Sequence, residues 1–230
     1  MSFNAYSAEA LESIARKVIS GYNSALLYKP GPIPVEEIME KVYGLTLEYQ
    51  YIRNNGRILG ETIFEDADIP VYDKEGKGGY KLISVKAGTV VLDVSLLEEG
   101  CSGRLRFTCA HELAHWVIDK KYFTGQSSKT NTPLGVTDTG VSSGLTDFEI
   151  AVHQSRQANI ITRSSDTDTL VERQANKLAA SILMPKSSLK RAYYDTRDKK
   201  ANIESYLAAL YEVSVQAMTI RLDCLGLPYK

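Results

Sequence analysis

The segment His111-Glu112-Leu113-Ala114-His115 combines two imidazoles and a carboxylate at a spacing suited to metal chemistry. If it is helical, positions 111 and 115 lie one turn apart on one face, where two ring nitrogens reach a single cation. Zinc accepts such nitrogens at about 2.0–2.1 Å and keeps one position open for water when protein supplies three ligands. Glu112 lies about 100° round the helix from His111, which favours it as the base that takes a proton from that water.

Two of the three histidines in the chain fall within this motif. The simplest alternative is a surface helix that carries the motif by accident, and so few histidines make that accident rare. The pattern therefore predicts a metal-assisted hydrolase, with His111 and His115 as zinc ligands and Glu112 as the catalytic base.

A third ligand must come from outside this helix. The pattern H-E-x-x-H-x-x-G-x-x-H would need glycine at 118 and histidine at 121, where the chain has Ile118 and Lys121. Glu172 is the preferred candidate, because it completes a site of two histidines and one carboxylate. The segment Thr169-x-x-Glu172 is also a capping-box pattern, in which Glu172 would close the start of its helix. Other candidates for the third ligand are His153, Glu149, Asp166 and Asp168.

Asn176 follows Glu172 by one helical turn and shares its face. We expect it to hydrogen-bond the outward nitrogen of His111 and so to set the tautomer of that ring. His153 lies in a Ser/Thr-rich stretch, where an isolated histidine is more often solvated than functional. No residue is assigned to stabilise the oxyanion, since Tyr122, Tyr193 and Tyr194 are only nearby in sequence.

Helical periodicity predicts the elements that position these residues. An amphipathic helix is expected over residues 8 to 28, with Ser7 as its cap, and a second from Pro34 to Gly44. The motif helix should run from 103 to 120 after a cap at Ser102.

Alternating apolar residues predict a small, mostly antiparallel sheet between the second helix and the motif helix. One hairpin should join residues 45 to 51 to residues 58 to 64 through Asn55-Gly56. A second should join residues 80 to 85 to residues 89 to 94.

The remainder of the chain predicts an α+β protein in two parts. Residues 1 to 185 form the catalytic domain, with a flexible insertion at 124 to 169 and a further helix that ends before Pro185. Residues 186 to 230 form a helical C-terminal subdomain, in which 202 to 222 is helix-turn-helix-like.

Charge argues against a nucleic-acid or membrane partner. The chain has 27 Lys and Arg against 28 Asp and Glu, so it lacks a global attraction to polyanions. The helix-turn-helix-like region carries more acidic than basic residues, which favours packing or protein recognition over DNA binding. Three cysteines without C-x-x-C spacing, and no signal peptide or membrane span, predict a cytoplasmic protein.

Three segments of the chain together resemble the ImmA/IrrE family of bacterial metallopeptidases. They are Arg106-Phe107-Thr108-Cys109-Ala110 with the motif that follows it, Glu172-Arg173-Gln174-Ala175-Asn176, and Leu183-Met184-Pro185. The resemblance extends in outline from Pro34 to Leu227. It implies a zincin-like fold in which Glu172 completes the zinc site. It also implies a protein substrate, a helix-turn-helix repressor whose cleavage relieves repression of a mobile element or a stress regulon.

Two features depart from the family pattern. The separation between His115 and Glu172 is long because of the insertion, and Gln174 stands where an additional acidic residue is common. Neither removes a ligand. The alternative function is a regulator that binds zinc without proteolysis and contacts DNA or a protein through its C-terminal helices. Structural zinc sites usually close all four positions with Cys and His, and the sequence offers no such fourth group.

Overall fold

The structure is a computed structural model that describes residues 5–52, 59–72, 79–124, 166–199 and 202–229. The predicted turn at Asn55-Gly56 and nearly all of the predicted insertion, 124 to 169, lie outside the described residues. The elements in chain order are α1 (Ala8–Asn23), a 3-10 turn (Ser24–Leu27), α2 (Val35–Tyr43), β1 (Thr46–Gln50), β2 (Gly60–Thr62), β3 (Ala67–Tyr72), β4 (Tyr80–Val85), β5 (Thr89–Asp93), a 3-10 turn (Val94–Leu97), α3 (Ser102–Ile118), α4 (Lys120–Thr124), α5 (Asp166–Leu183), α6 (Lys186–Thr196), α7 (Ile203–Tyr211) and α8 (Val215–Leu225).

The first two helices follow the predicted signals. Ser7 caps α1 by accepting a hydrogen bond from the Ala10 N–H at 3.2 Å. The predicted helix to residue 28 tightens into the 3-10 turn after Asn23, whose side chain accepts from the Ala25 N–H. α2 begins after Pro34 and ends at Gly44, whose φ of 64° is the left-handed conformation that favours glycine.

Both predicted hairpins are wrong, because β5 is the central strand of its sheet. The strand order is β1-β5-β2, with β1 parallel and β2 antiparallel to β5. β5 is buried at all five positions. A strand covered on both faces suits the middle of a sheet, and it separates the two strands that were expected to pair with each other.

β4 pairs with β3 instead of with β5, in a separate two-stranded antiparallel sheet. Sequence analysis did not predict β3. Its Pro70 lacks an N–H and disguises the strand, yet a two-stranded sheet tolerates the residue, which lies opposite Leu82.

The helical half matches the predicted order, with two corrections at helix starts. Ser102 is the first helical residue of α3 and not its cap, a position held by Cys101 without a side-chain hydrogen bond. α5 begins at Asp166, so Glu172 lies in its second turn and does not close its start. The capping-box reading is therefore wrong.

One hydrophobic cluster joins the helices around α3 and α5, and a smaller one lies between β3 and β4. Ala110 and Ala114 of α3 and Ala175 and Ala179 of α5 are fully buried, and side chains this small let the two helices approach closely. The main cluster includes residues on both sides of Pro185, and the division into domains there stays a prediction. Among the described residues, no helix is long and apolar enough to cross a membrane.

Candidate metal centre

The close packing of α3 against α5 brings His111, His115 and Glu172 together. The two histidine Nε2 atoms are 2.9 Å apart. Glu172 Oε2 lies 3.4 Å from His111 Nε2, and Glu172 Oε1 lies 3.7 Å from His115 Nε2. Within the described part of the chain, these three residues form the one group of His, Cys, Asp or Glu side chains placed to hold a metal ion together.

These separations fit a small tetrahedral cation. Four ligands at about 2.0–2.1 Å from zinc lie about 3.3 Å from one another, and the three observed distances bracket that value. The donor set of two imidazole nitrogens and one carboxylate is also one that zinc accepts. Three protein donors leave a fourth position for water.

Each histidine is held through its other ring nitrogen. Asn176 Oδ1 lies 3.0 Å from His111 Nδ1, the contact predicted from the spacing of α5. Asp119 Oδ2 lies 2.8 Å from His115 Nδ1. A carboxamide or carboxylate oxygen accepts a hydrogen bond, so both Nδ1 atoms carry the proton and both Nε2 atoms present a lone pair.

The two lone pairs therefore meet at 2.9 Å, a separation that needs a proton or a cation to be favourable. Burial alone would lower the pKa of His111, but Glu172, Glu112 and Asn176 together raise it above its ordinary value. The carboxylate surroundings thus favour positive charge at this point. A divalent cation held by His111, His115 and Glu172 would supply that charge to both rings at once.

The Glu112 carboxylate is buried beside the metal-ligand cluster and is held by the edge strand β2. Its Oε2 accepts a hydrogen bond from the Thr62 hydroxyl at 2.7 Å. Gly60 leaves room for the same side chain, because a Cβ built there would lie 2.8 Å from Glu112 Oε1. Thr62 and Gly60 therefore restrict where the carboxylate points.

Sequence reasoning missed Thr62 and Asp119. Asp119 is fully buried at the end of α3, and burial raises the pKa of its carboxyl while the His115 ring opposes the rise. Its position four residues after His115 on the same helix was a readable signal. Thr62 had none, since its contact with Glu112 spans 50 residues.

The other candidate residues do not join the group. His153 and Glu149 lie outside the described residues, and Asp166 and Asp168 lie in the first turn of α5, where no side chain is described. Tyr193 is buried, and its hydroxyl donates to the Pro228 carbonyl at 2.6 Å. The Tyr193 hydroxyl therefore has a structural hydrogen bond outside the metal-ligand cluster.

Residues 149–223 match the model of a peptidase family described as the IrrE N-terminal-like domain. This match confirms the resemblance to the ImmA/IrrE family that the motifs indicated. It covers Glu172 and Asn176 but begins after the H-E-x-x-H motif. No curated protein matches the chain.

A solved structure titled as a Mycobacterium tuberculosis transcriptional regulator is similar over 93% of this chain, with 12% sequence identity and a TM-score of 0.46. The chain spans 46% of the length of that structure. A similarity this weak carries no argument about function.

Proposed function

We propose that this protein is a zinc-dependent metalloendopeptidase, with His111, His115 and Glu172 as metal ligands and Glu112 as the catalytic base. The observation that carries the proposal is the pair of imidazole lone pairs meeting beside a carboxylate. The match to a peptidase family supports the same role.

The ion would polarise the scissile carbonyl and lower the pKa of a water molecule to about 7. Glu112 takes a proton from that water and later delivers it to the leaving amine. Thr62 holds one oxygen of this carboxylate at 2.7 Å and leaves the other oxygen for the transfer. Asn176 and Asp119 keep the two rings in the tautomer that leaves Nε2 free.

The proposed substrate is a protein, a helix-turn-helix repressor whose cleavage relieves repression of a mobile element or a stress regulon. This part of the proposal rests on the resemblance of the paired motifs to the ImmA/IrrE family. We place the reaction in the cytoplasm, where such a repressor acts.

The competing function is a non-proteolytic regulator that binds zinc and uses its C-terminal helices to contact DNA or a protein. The metal-ligand group offers three ligands among the described residues, whereas structural zinc sites close four positions. Glu112 beside the group is also unnecessary for a structural ion. Both features favour the peptidase.

Glu112→Gln tests the proposal most directly. The amide keeps the volume of the side chain but does not accept the proton, so we expect cleavage to fall about a thousandfold while zinc stays bound. The assay follows the zinc-loaded chain acting on a purified candidate helix-turn-helix repressor, with metal content measured by mass spectrometry.

Glu98→Gln is the matched control, because Glu98 is an exposed glutamate just before α3. We expect this variant to retain full activity. Wild-type cleavage by Glu112→Gln would contradict the assignment of the base, and the regulator would then be the better account.

A further inference from the structure

A groove of about 1300 Å³ runs beside the metal-ligand cluster. Its walls come from α1, the amino end of α3, α5, and α8 with the turn before it, and we call it the α1–α8 groove. Asn176 lies on its lining and also touches His111 of the cluster. Asn176 therefore links the groove to the cluster through His111 Nδ1, on the side of the ring away from Nε2.

Buried polar contacts hold the walls in place. Arg221 Nη1 of α8 pairs with Glu12 Oε1 of α1 at 2.6 Å, and Arg221 Nε donates to the Met184 carbonyl at 3.1 Å. Ser181 of α5 donates to the same Glu12 oxygen at 3.1 Å. These contacts join three walls, so a ligand meets a preformed surface and loses less entropy on binding.

The opposite wall is held by the amino end of α3. Arg106 lies 3.8 Å from the Glu212 carboxylate in the turn between α7 and α8. A Cβ built on Gly103 would lie 3.7 Å from the backbone of Val213 in that turn. The amino end of α3 and this turn therefore pack directly against each other.

Charge on the lining is mostly positive. Arg16, Arg104 and Lys177 line the groove, and none has an ion-pair partner within 4 Å in the described part of the chain. Lys186 and Glu9 also lie on the lining. Backbone and Ser7 hydrogen bonds lower the pKa of the Glu9 carboxyl, and the charge of Lys186 adds to that effect. The groove thus attracts negative charge although the whole chain has a net charge of -1.

The floor and one rim are apolar. Leu11, Phe107 and Val213 lie on the lining, and Ile220 of α8 projects from it half-exposed. Apolar side chains at the base with cations at the rim suit an amphipathic segment with acidic residues on its polar face.

The volume argues for a peptide and not a small molecule, whose pockets hold about 300–1,000 Å³. A helix about 10 Å wide fills 1300 Å³ in about three turns.

We propose that the α1–α8 groove docks an acidic amphipathic segment of the protein substrate and so delivers a neighbouring bond to the metal centre. This inference rests on the proposed function, because the docked segment is taken to belong to a peptidase substrate. Docking itself can be measured without cleavage.

The test uses the full-length Glu112→Gln chain, which keeps a bound peptide intact. The probe is a fluorescein-labelled peptide of about 16 residues, with Leu and Ala on one helical face and Glu on the other. We expect saturable binding by fluorescence anisotropy at low ionic strength, and binding at least about tenfold weaker for a copy with Lys in place of every Glu.

Charge reversal locates the site. Arg16→Glu combined with Arg104→Glu should weaken binding of the acidic peptide at least about fivefold. The control pair is Lys17→Glu with Lys81→Glu, because both lysines are exposed and lie outside the groove lining. We expect that pair to bind within about twofold of the parent, and circular dichroism to show all variants folded.

Three outcomes would overturn the docking site: no binding of the acidic peptide at 1 mM, equal binding of the lysine copy, or equal loss in the two double variants. Tighter binding of a DNA duplex, lost on reversal of Arg16 and Arg104, would also overturn it. If the peptide binds in the groove but the wild-type chain cleaves no repressor, the docking site stands and the proposed peptidase fails.

Discussion

Two polar clusters lie along α5, and they differ in whether their charges and lone pairs are already paired within the cluster. Towards the middle of the helix, Glu172 faces two histidines whose Nε2 lone pairs meet at 2.9 Å. Towards its end, Ser181 joins the pair of Glu12 and Arg221, where opposite charges meet at 2.6 Å. The first cluster needs a proton or a bound cation between its two ring nitrogens, whereas the second already contains the Arg221 guanidinium.

We propose from this difference that the first cluster is a functional site and that the second is structural. Burial of charged groups alone does not mark a site, because paired charges often serve only to hold a fold together. A buried set of acceptors directed at one point, with its outer nitrogens already held, is the arrangement that binds metal. Variants of the two clusters should therefore affect different measurements.

The largest effect is expected for His115→Ala. Loss of one of three ligands should weaken zinc binding at least about a thousandfold, more than the 10–100-fold typical of an outer partner. Competition with a chelator measures the affinity. His153→Ala is the control, since His153 is the one histidine outside the motif, and it should retain zinc. Loss of zinc in the control would make His153 a ligand.

Arg221→Met should act on stability and not on metal binding. It leaves the partly buried Glu12 carboxylate with Ser181 but without its cationic partner. We expect the free energy of unfolding to fall by about 2 kcal/mol, measured by urea denaturation. Lys41→Met is the control, because the Lys41–Glu37 pair is exposed and should matter little. If folded Arg221→Met protein binds zinc as weakly as His115→Ala, the two clusters are not separate.

Asp119→Asn should have the opposite effect to Arg221→Met: it should weaken zinc binding and leave stability unchanged. The amide still accepts a hydrogen bond from His115 but loses the negative charge, so zinc affinity should fall about 10–100-fold. Because burial raises the pKa of this carboxyl, removing the charge should not lower the free energy of unfolding. Asp195→Asn on the exposed face of α6 should change neither quantity. An unchanged zinc affinity in Asp119→Asn would remove Asp119 from the metal site.

Thr62→Val should have the smallest effect. It keeps the shape of the side chain but removes the hydrogen bond to Glu112, and we expect kcat to fall about tenfold, about the free energy of one hydrogen bond to a charged group. Zinc affinity should not change. Thr62→Ser should restore kcat, and a valine variant as active as wild type would show that the hydroxyl does not position the base.

The site followed from the sequence more fully than the sheet did. Spacing on one helix placed His111 and His115, whereas Glu172 was preferred among several candidates with the support of the family resemblance, and Asn176 followed from Glu172. The structure brings the four side chains together, and their roles stay predictions. The paired motifs also indicated a resemblance to the ImmA/IrrE family, and the match over residues 149–223 confirms that resemblance. Metal identity, base and substrate stay predictions that the variants above test.

The sheet was predicted as two hairpins, and its strand order was wrong. Apolar alternation located β1, β2, β4 and β5 but contained no information about partners. β5 takes β1 and β2 on its two sides because all five of its residues are buried. The departure at Gln174 also has a structural role, since its buried side chain accepts a hydrogen bond from the Tyr6 N–H.

The sequence by itself determined which residues share a helical face, because an α-helix joins residues four apart and repeats every 3.6 residues. For that reason the spacing of His111, Glu112 and His115 was enough to predict a metal site with a nearby base. Only the tertiary structure decided what crosses between elements: Thr62 against Glu112, α3 against α5, and the groove between α1 and α8. Those contacts depend on how distant segments bury their apolar faces together, and no local spacing encodes that.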